Sequence, residues 1–190
     1  MQLIKNASKE KLRGGFYTPE PIASFILKWA FNGNKELDIL EPSCGDGVFL
    51  EEIQKGSYEY NSVTGIEFDE IEAVKSRKIG LDKSKIINSD FHDFCINTKQ
   101  KFDLIIGNPP YIRYQYFDKE QQKFASDIFG KANLKYSKLT NAWVSFVVGS
   151  SCSWLTGVRP AWLRGRPGVA PAGQCGHLFL PGACHQLSSI

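Results

Sequence analysis

Four short apolar segments follow one another along the first part of the chain, and each ends in polar or glycine-rich residues. They are residues 37–40, 63–68, 85–88 and 102–106. Stretches with helical periodicity, at 47–55 and 69–78, separate the first three. Strand–helix–strand repetition at intervals of about 25 residues is typical of an α/β fold. We therefore predict a mostly parallel sheet with flanking helices, whose ligands bind at the carboxyl ends of the strands.

Further helices are predicted on either side of these segments. Residues 19–32 carry apolar side chains at helical spacing, with Thr18 as the expected N-cap. Residues 112–140 are polar and aromatic without a clear period, and we interpret them as a long surface excursion. Residues 141–148 resemble the start of an amphipathic helix, which we expect to end at Gly149.

The composition changes abruptly after residue 149. All 20 Asp and Glu lie before residue 150, whereas residues 150–190 hold three Arg, no Lys and the whole net charge of +3. The net positive charge therefore gives no evidence for nucleic-acid binding. We predict a cofactor-binding and catalytic domain at 1–148, truncated, and an aberrant tail at 149–190 that forms no domain of its own. Because a one-base shift can turn 170–179 into a more protein-like run, we interpret residues from about 149 to 184 as translated out of frame and 185–190 as a return to frame.

The apolar runs, the N-terminus and the cysteine count favour a cytoplasmic protein. No apolar run approaches the roughly 20 residues of a membrane-spanning helix, and the N-terminus lacks the apolar stretch of a signal peptide. Five Cys, an odd number, suit a reducing compartment better than a disulfide framework. The Cys and His residues of the tail fit no standard zinc spacing, so we predict no metal and no membrane association.

A glycine-containing turn and an acidic residue suggest a nucleotide-like cofactor. Gly45 and Gly47 remove side chains where backbone must approach a ligand, and the helix start that follows favours an anionic group. Glu67 ends the second apolar segment, at an offset suited to binding two ribose hydroxyls. Each feature alone is also compatible with a structural turn or a solvated strand end.

Asp90 and Phe91 follow the third apolar segment. A carboxylate that accepts the amino hydrogen and a ring that packs on the base would together suit an adenine. A turn aspartate and a core phenylalanine are an equally good interpretation without the neighbouring motifs.

The tetrapeptide Asn108-Pro109-Pro110-Tyr111 follows the fourth segment and is the most specific signal. The two prolines lack N–H groups, so the turn presents the Asn108 side-chain oxygen and the Pro109 carbonyl with few competing donors. Two acceptors at a fixed separation suit an NH₂ group whose two hydrogens both need partners. Tyr111 offers a stacking face for the base that carries this amine.

Over residues 13–148 these motifs, in this order, resemble the S-adenosylmethionine-dependent DNA adenine-N6 methyltransferases of restriction–modification systems, in the group whose cofactor motif is N-terminal. Asn108-Pro109-Pro110-Tyr111 matches the catalytic tetrapeptide of that family. The positions that match its cofactor-binding motifs are Tyr17, Thr18, Pro19, Glu41, Pro42, Gly45, Gly47, Glu67, Asp90 and Phe91.

The resemblance implies a Rossmann-like fold, incomplete at its C-terminal side, with S-adenosyl-L-methionine as cofactor. It also implies direct methyl transfer to N6 of an adenine that leaves double-stranded DNA, with no covalent enzyme intermediate. The family's later strands and its DNA-recognition domain are not visible in the sequence. We therefore expect a truncated enzyme of doubtful activity.

Two alternatives to this first interpretation stay open: another methyl acceptor, and a product without activity. Asn-Pro-Pro-Tyr turns also serve the methylation of RNA adenine and of glutamine amides in proteins, because these substrates present a similar NH₂ group. Transfer of a labelled methyl group to DNA, RNA or protein separates these substrates. The third interpretation is a non-catalytic, defective gene product, which predicts poor cofactor binding and, through an exposed sheet edge, poor solubility.

Overall fold

The structure is a computed structural model that describes residues 17–110, 119–136 and 142–152. Its centre is a four-stranded sheet in the order β3-β2-β1-β4, in which every pairing is parallel. The strands are β1 (Leu37–Glu41), β2 (Tyr60–Glu67), β3 (Ser84–Asn88) and β4 (Leu104–Ile105). The predicted parallel α/β sheet is thus confirmed.

Six helices flank the sheet within the described residues. They are α1 (Glu20–Phe31), α2 (Val48–Lys55), α3 (Glu70–Lys78), α4 (Phe91–Asn97), α5 (Lys119–Lys131) and α6 (Ala142–Cys152). Alternate strand side chains point to opposite faces, so Ile39 and Leu40 enter two different hydrophobic clusters. Ile39 packs with α1 and α2, whereas Leu40 packs with α4, α5 and α6. The core therefore has two layers, one on each face of the sheet.

Helix α1 begins one residue later than predicted. Its N-cap is Pro19, with an extended backbone and no side-chain capping bond, so the prediction of Thr18 as the N-cap is wrong. The Pro19 carbonyl accepts hydrogen bonds from the amides of Ile22 and Ala23 and so closes the first turn without a capping side chain.

Helix α5 corrects the interpretation of residues 112–140 as a surface excursion. Its Ala125, Ile128 and Phe129 are buried against α4 and α6. Four apolar side chains among 13 residues, three of them buried, are too sparse a pattern to stand out in the sequence. Burial against neighbouring helices selects the helix here.

Helix α6 also departs from the prediction, because it continues through Gly149 to Cys152. A Cβ atom at Gly149 would lie 3.2 Å from the Phe91 ring and 3.4 Å from both Cys95 and Ile128. The glycine therefore permits close packing of α6 on α4 and α5. The predicted domain boundary after residue 148 falls inside this helix, while residues 153–190 lie outside the described residues.

No helix in the part of the chain that the structure describes is long and apolar enough to cross a membrane.

Candidate cofactor and substrate site at the carboxyl edge of the sheet

The turns that follow β1 and β4 meet at the carboxyl edge of the sheet. The chain adds β2 and β3 on one side of β1 and then returns to place β4 on the other side. Ligands of such sheets bind where the strand order reverses. At this point the Ser43 hydroxyl donates to the Asn108 carbonyl over 3.4 Å, and a Cβ atom at Gly107 would lie 3.3 Å from Pro42 Cδ. The predicted glycine loop and the predicted catalytic turn are therefore in direct contact.

The two glycines of the loop have different surroundings. Gly47 is the N-cap of α2 with φ 99°, and a Cβ there would collide with the Ile79 side chain and lie 3.3 Å from Ser76 Cα. Gly45 also has positive φ, 54°, but the nearest atom to its Cβ position is Tyr17 Cε1 at 3.9 Å. Gly47 thus serves packing against the end of α3, whereas Gly45 faces open space where a ligand can approach the backbone.

Cys44 lies in the same loop and is buried, as expected of a structural residue. Its amide donates to the Ile66 carbonyl at 2.9 Å, which ties the loop to β2. Burial, and next the nearby Glu41, raise the pKa of the Cys44 thiol strongly, so the thiolate form is disfavoured.

Glu41, the last residue of β1, is 1% exposed, and its Oε2 atom has no hydrogen-bond partner among the described residues. Burial first, and the carboxylates of Glu67 and Asp46 next, raise the pKa of Glu41 well above its usual range. A buried carboxyl oxygen without a partner at a ligand-binding edge favours a cationic group. We call Glu41, Pro42, Gly45, Asp46 and Gly47 the β1 corner.

Glu67 holds the end of β2 against the glycine loop. Its Oε2 accepts from the Gly45 amide and its Oε1 from the Asp69 amide, each at 2.8 Å. Burial is the largest influence on Glu67 and raises the pKa of this carboxyl group, against the opposing effect of these bonds. An ionised carboxylate has about four lone-pair sites, so both oxygens keep capacity to accept a pair of vicinal hydroxyls.

Asp90 caps α4 and stands at the centre of a buried polar chain. Its Oδ1 accepts from the His92 amide at 2.7 Å and lies 3.0 Å from His92 Nδ1. His92 Nε2 lies 2.7 Å from the Ser145 hydroxyl, and Asp90 Oδ2 accepts from Gln121 Nε2 at 3.4 Å. We call Asp90, His92, Gln121 and Ser145 the β3 corner.

The β3 corner corrects one prediction and extends another. From its place directly after the predicted adenine-binding pair, the sequence predicts a surface position for His92; this prediction is wrong, because His92 is 2% exposed. Burial of Asp90 acts to raise its pKa, but the hydrogen bonds that Asp90 accepts from His92 and Gln121 oppose this effect, and the pKa of Asp90 is lowered. Asp90 is thus held as an ionised acceptor at this edge.

The aromatic residues next to the two acids differ in exposure. The Phe91 ring is 2% exposed and stacks on Phe146 with centroids 4.7 Å apart, which is the core position named as the alternative for this residue. Phe68, which follows Glu67, is 66% exposed. No motif in the sequence singled out Phe68, although an aromatic residue directly after a strand-terminal acid is a usable signal for a ligand-facing ring.

The predicted upstream segment reaches the glycine loop through Tyr17. This side chain is 52% exposed and lies near Glu72, a residue that no sequence motif singled out. Burial and then the Glu72 charge raise the pKa of Tyr17, so the phenol keeps its proton. Thr18 and Pro19 follow on the way into α1 and are solvent-accessible.

The predicted catalytic turn is only partly described. Asn108, Pro109 and Pro110 are half-buried beside the β1 corner, while Tyr111 lies outside the described residues. The fold therefore gathers four groups of predicted residues at one edge: the upstream segment, the β1 corner, Glu67 with Asp90, and the catalytic turn. Phe91 is the predicted residue that lies in the core instead.

Residues 21–156 match the Eco57I restriction-modification methylase family, over more than half of the chain. The chain belongs to this family. The match spans the site from the β1 corner to the catalytic turn and both helices, α5 and α6, that follow it, whereas Tyr17, Thr18 and Pro19 lie before its first residue.

Individual relatives agree with the family assignment. The chain is 34% identical over 137 residues to the Type II methyltransferase M.AccI of Acinetobacter calcoaceticus, a match that covers 71% of this chain and 24% of the relative. It is 36% identical over 121 residues to M.HincII of Haemophilus influenzae, covering 63% of this chain and 21% of the relative. The match thus spans about a quarter of the length of these relatives.

Solved structures share the fold at low sequence identity. A protein of Listeria monocytogenes, assigned as a class I S-adenosylmethionine-dependent methyltransferase, superposes with a TM-score of 0.60 at 15% identity, over 83% of this chain and 48% of its own. An RNA methyltransferase assigned in Pyrococcus horikoshii superposes with a TM-score of 0.51 at 16% identity, over 78% of this chain and 63% of its own. These likenesses confirm the Rossmann-like fold.

Proposed function

We propose that this chain is the cofactor-binding and catalytic part of a DNA methyltransferase that transfers a methyl group from S-adenosyl-L-methionine to adenine N6. The observation that carries the proposal is the contact between the Asn108 turn and the glycine loop. In this contact a buried carboxylate without a described partner stands beside two candidate acceptors for an amine. The Type II methyltransferase names of the relatives support the proposed substrate class.

The residues of this edge fit the proposed cofactor on chemical grounds. Glu41 would hold a positive charge of the methionine end, because its buried Oε2 has no partner among the described residues. Glu67 would accept the two ribose hydroxyls. Asp90 would accept the adenine amino group, and the exposed Phe68 ring would cover one face of that base.

The glycine loop would complete this cofactor site. Gly45 leaves open space beside the backbone, and the start of α2 favours a carboxylate. Tyr17, Thr18 and Pro19 would border the methionine end from the opposite side. When bound, the cofactor supplies an electrophilic methyl group on a sulfonium.

Asn108 and Pro109 would act on the substrate. The Asn108 side-chain oxygen and the Pro109 carbonyl accept the two hydrogens of the adenine amine, which draws its lone pair out of conjugation and turns it towards the methyl group. Pro110 keeps the turn rigid and free of a competing N–H, and Tyr111 would stack on the flipped base. Alignment of the two reactants supplies most of the rate in such a scheme.

The partner implied by this scheme is double-stranded DNA with an adenine target. The matched relatives are about four times longer than their matched parts, so recognition of a DNA sequence is assigned to a region outside this match. We also propose a cytoplasmic setting for this reaction, because chromosomal DNA and the cofactor meet there.

The first experiment is calorimetric titration of the full 190-residue chain with S-adenosylmethionine, with Glu67→Ala as control. We expect saturable binding that weakens at least about tenfold in the variant, because two charge-assisted hydrogen bonds are lost. A folded wild-type chain that does not bind the cofactor would contradict the proposal.

A second experiment separates the substrates. Labelled methyl transfer is measured on adenine-containing duplex DNA, on RNA and on protein, with wild-type chain and Asn108→Ala. We expect transfer to N6 of DNA adenine by the wild type, no transfer by the variant and nearly equal cofactor affinity in both. Transfer to RNA or to a glutamine amide would replace the proposed substrate, and transfer by the variant would refute the role of Asn108.

A further inference from the structure

A buried chain of polar side chains connects helix α6 to the carboxylate at the end of β3. Ser145 lies 2.7 Å from His92 Nε2, and His92 Nδ1 lies 3.0 Å from Asp90 Oδ1. The Ser145 and His92 residues are 1% and 2% exposed, whereas the Asp90 side chain keeps 15% exposure. This series of hydrogen-bonded side chains therefore runs from the core to the carboxyl edge of the sheet, where the candidate site lies.

The chemistry of the three groups fixes the direction of their hydrogen bonds. An ionised carboxylate can only accept, so His92 Nδ1 must carry a proton and donate to Asp90. The other nitrogen of a neutral imidazole is an acceptor, and Ser145 therefore donates its hydroxyl proton to Nε2. The edge of the His92 ring also meets the Phe146 face, with centroids 5.0 Å apart. The imidazole is thus held in one tautomer and one orientation.

The same three residue types in this order form the triad of serine hydrolases, but the burial here argues against nucleophilic chemistry. With 1% of Ser145 exposed, a carbonyl substrate has no path to its hydroxyl. The solvent-exposed end of this series of hydrogen-bonded side chains is also the Asp90 carboxylate and not the serine nucleophile. A positioning role fits this arrangement better.

The two oxygens of Asp90 are unequally used. Oδ1 accepts from both the amide and the Nδ1 of His92, whereas Oδ2 has the long contact to Gln121 at 3.4 Å. We propose that His92, held by Ser145, is a positioning residue that fixes Asp90 so that Oδ2 accepts the 6-amino group of an adenosyl ligand. This inference rests on the proposed function and adds the determinant of selectivity for adenine over a 6-oxo base.

Two amide substitutions at position 92 separate the two ends of the imidazole. The Asn amide nitrogen occupies the place of Nδ1, so His92→Asn keeps the donor to Asp90 and loses the contact to Ser145. The Gln amide nitrogen occupies the place of Nε2, so His92→Gln keeps the contact to Ser145 and loses the donor to Asp90. Both variants replace the imidazole ring by a side-chain amide at the same buried position, so each serves as the other's control for loss of the ring.

The test compares the affinities of the full chain for S-adenosylhomocysteine and for S-inosylhomocysteine, in which a carbonyl replaces the amino group. We expect the wild type to prefer the adenosyl ligand by at least about tenfold, since the 6-oxo group would face the Asp90 carboxylate without a hydrogen. His92→Asn keeps the donor to Asp90 and loses the contact to Ser145, so it should lower this ratio by no more than about threefold, whereas His92→Gln should bring the ratio to about one.

The outcomes distinguish this inference from a structural role and from the proposed function. A structural role lowers the melting temperature of both variants and leaves the ratio unchanged, so a wild-type ratio in His92→Gln overturns the inference. An equal loss of the ratio in His92→Asn overturns it as well. A wild type that binds neither ligand refutes the proposed function instead.

Ser145→Ala keeps the test decisive should His92→Gln not fold. This variant retains the imidazole but releases its far nitrogen, and we expect the ratio to fall about threefold. An unchanged ratio in a folded Ser145→Ala chain counts against the inference.

Discussion

The β1 corner and the β3 corner both place a buried carboxylate at the end of a parallel strand, but they treat its charge in opposite ways. At the β1 corner, Glu41 Oε2 has no partner among the described residues, and burial raises its pKa. At the β3 corner, donors from His92 and Gln121 lower the pKa of Asp90 despite its burial. The first arrangement suits a positive charge that arrives with a ligand, and the second presents a fixed acceptor. The β1 corner thus leaves a carboxyl group for a ligand to balance, whereas the β3 corner balances its carboxylate within the protein.

The largest expected effect tests the backbone on which the β1 corner is built. We predict that Gly47→Ala lowers the free energy of unfolding by about 2–5 kcal/mol. The new Cβ atom would clash with Ile79 and Ser76, and the alanine would also have to adopt the left-handed backbone conformation of Gly47. Gly45→Ala is the matched control and should cost about 1–2 kcal/mol, since its Cβ meets open space. Urea unfolding measures both, and equal losses would contradict the assignment of Gly47 to packing.

The next effect tests whether the polar chain of the β3 corner stabilises the fold. We predict that Ser145→Ala lowers the free energy of unfolding by about 1–3 kcal/mol, because His92 Nε2 is left buried without its partner. Ser150→Ala is the control on the same helix. The Ser150 hydroxyl is also buried but has no partner among the described residues, so its loss should be neutral or stabilising. Thermal unfolding that shows the reverse order would break the comparison.

The opposite pKa directions predict opposite responses to pH. A raised pKa means that the folded state binds more protons between the unfolded and folded values, so Glu41 lowers stability as pH rises through this window. Glu41→Gln should therefore reduce the loss of stability that occurs as pH rises above the ordinary pKa range of glutamate. The reduction should be about 1.4 kcal/mol in the free energy of unfolding for each unit by which folding raises the pKa of Glu41. Urea midpoints from acidic to neutral pH measure this slope, and an unchanged slope would rule out Glu41 as its source.

Asp90 should behave in the reverse sense. Because its pKa is lowered in the folded state, its stabilisation is present above the unfolded value and is lost as pH falls through the folded value. Asp90→Asn should thus destabilise the chain at neutral pH by about 1–2 kcal/mol and remove part of its acid sensitivity. The same series of midpoints provides the measurement, and a variant as stable as wild type at neutral pH would show that the capping bonds contribute little.

The smallest effect on stability is expected at Phe68. Because this ring is 66% exposed, Phe68→Ala should change the free energy of unfolding by less than about 0.5 kcal/mol. It should nevertheless weaken binding of S-adenosylhomocysteine about threefold to tenfold, as a stacking face is lost. Phe91→Ala gives the contrast, because loss of a core ring should cost about 3–5 kcal/mol. Equal affinity of wild type and Phe68→Ala would remove this residue from the site.

The sequence was a good guide to the site wherever a residue follows an apolar strand. Glu41, Glu67, Asp90 and Asn108 each end or follow such a strand, and parallel pairing brings them to one edge. The contact between His92 and Ser145 could not be predicted in this way, because 53 residues separate them and neither lies in a recognisable pattern. Phe91 was ambiguous for the same reason, since its ring could face a ligand or the core until α6 was in place.

By itself, the sequence determined the parallel α/β architecture, the order of its motifs and the acidic, glycine-rich character of the carboxyl edge. These depend on local periodicity and on turn chemistry, which act over a few residues. Tertiary structure alone decided that α5 forms, that α6 continues through Gly149, and that Asp90 is anchored while Glu41 is left without a described partner. The physical reason is that burial and hydrogen-bond partnership depend on groups distant in sequence, which only packing brings within reach.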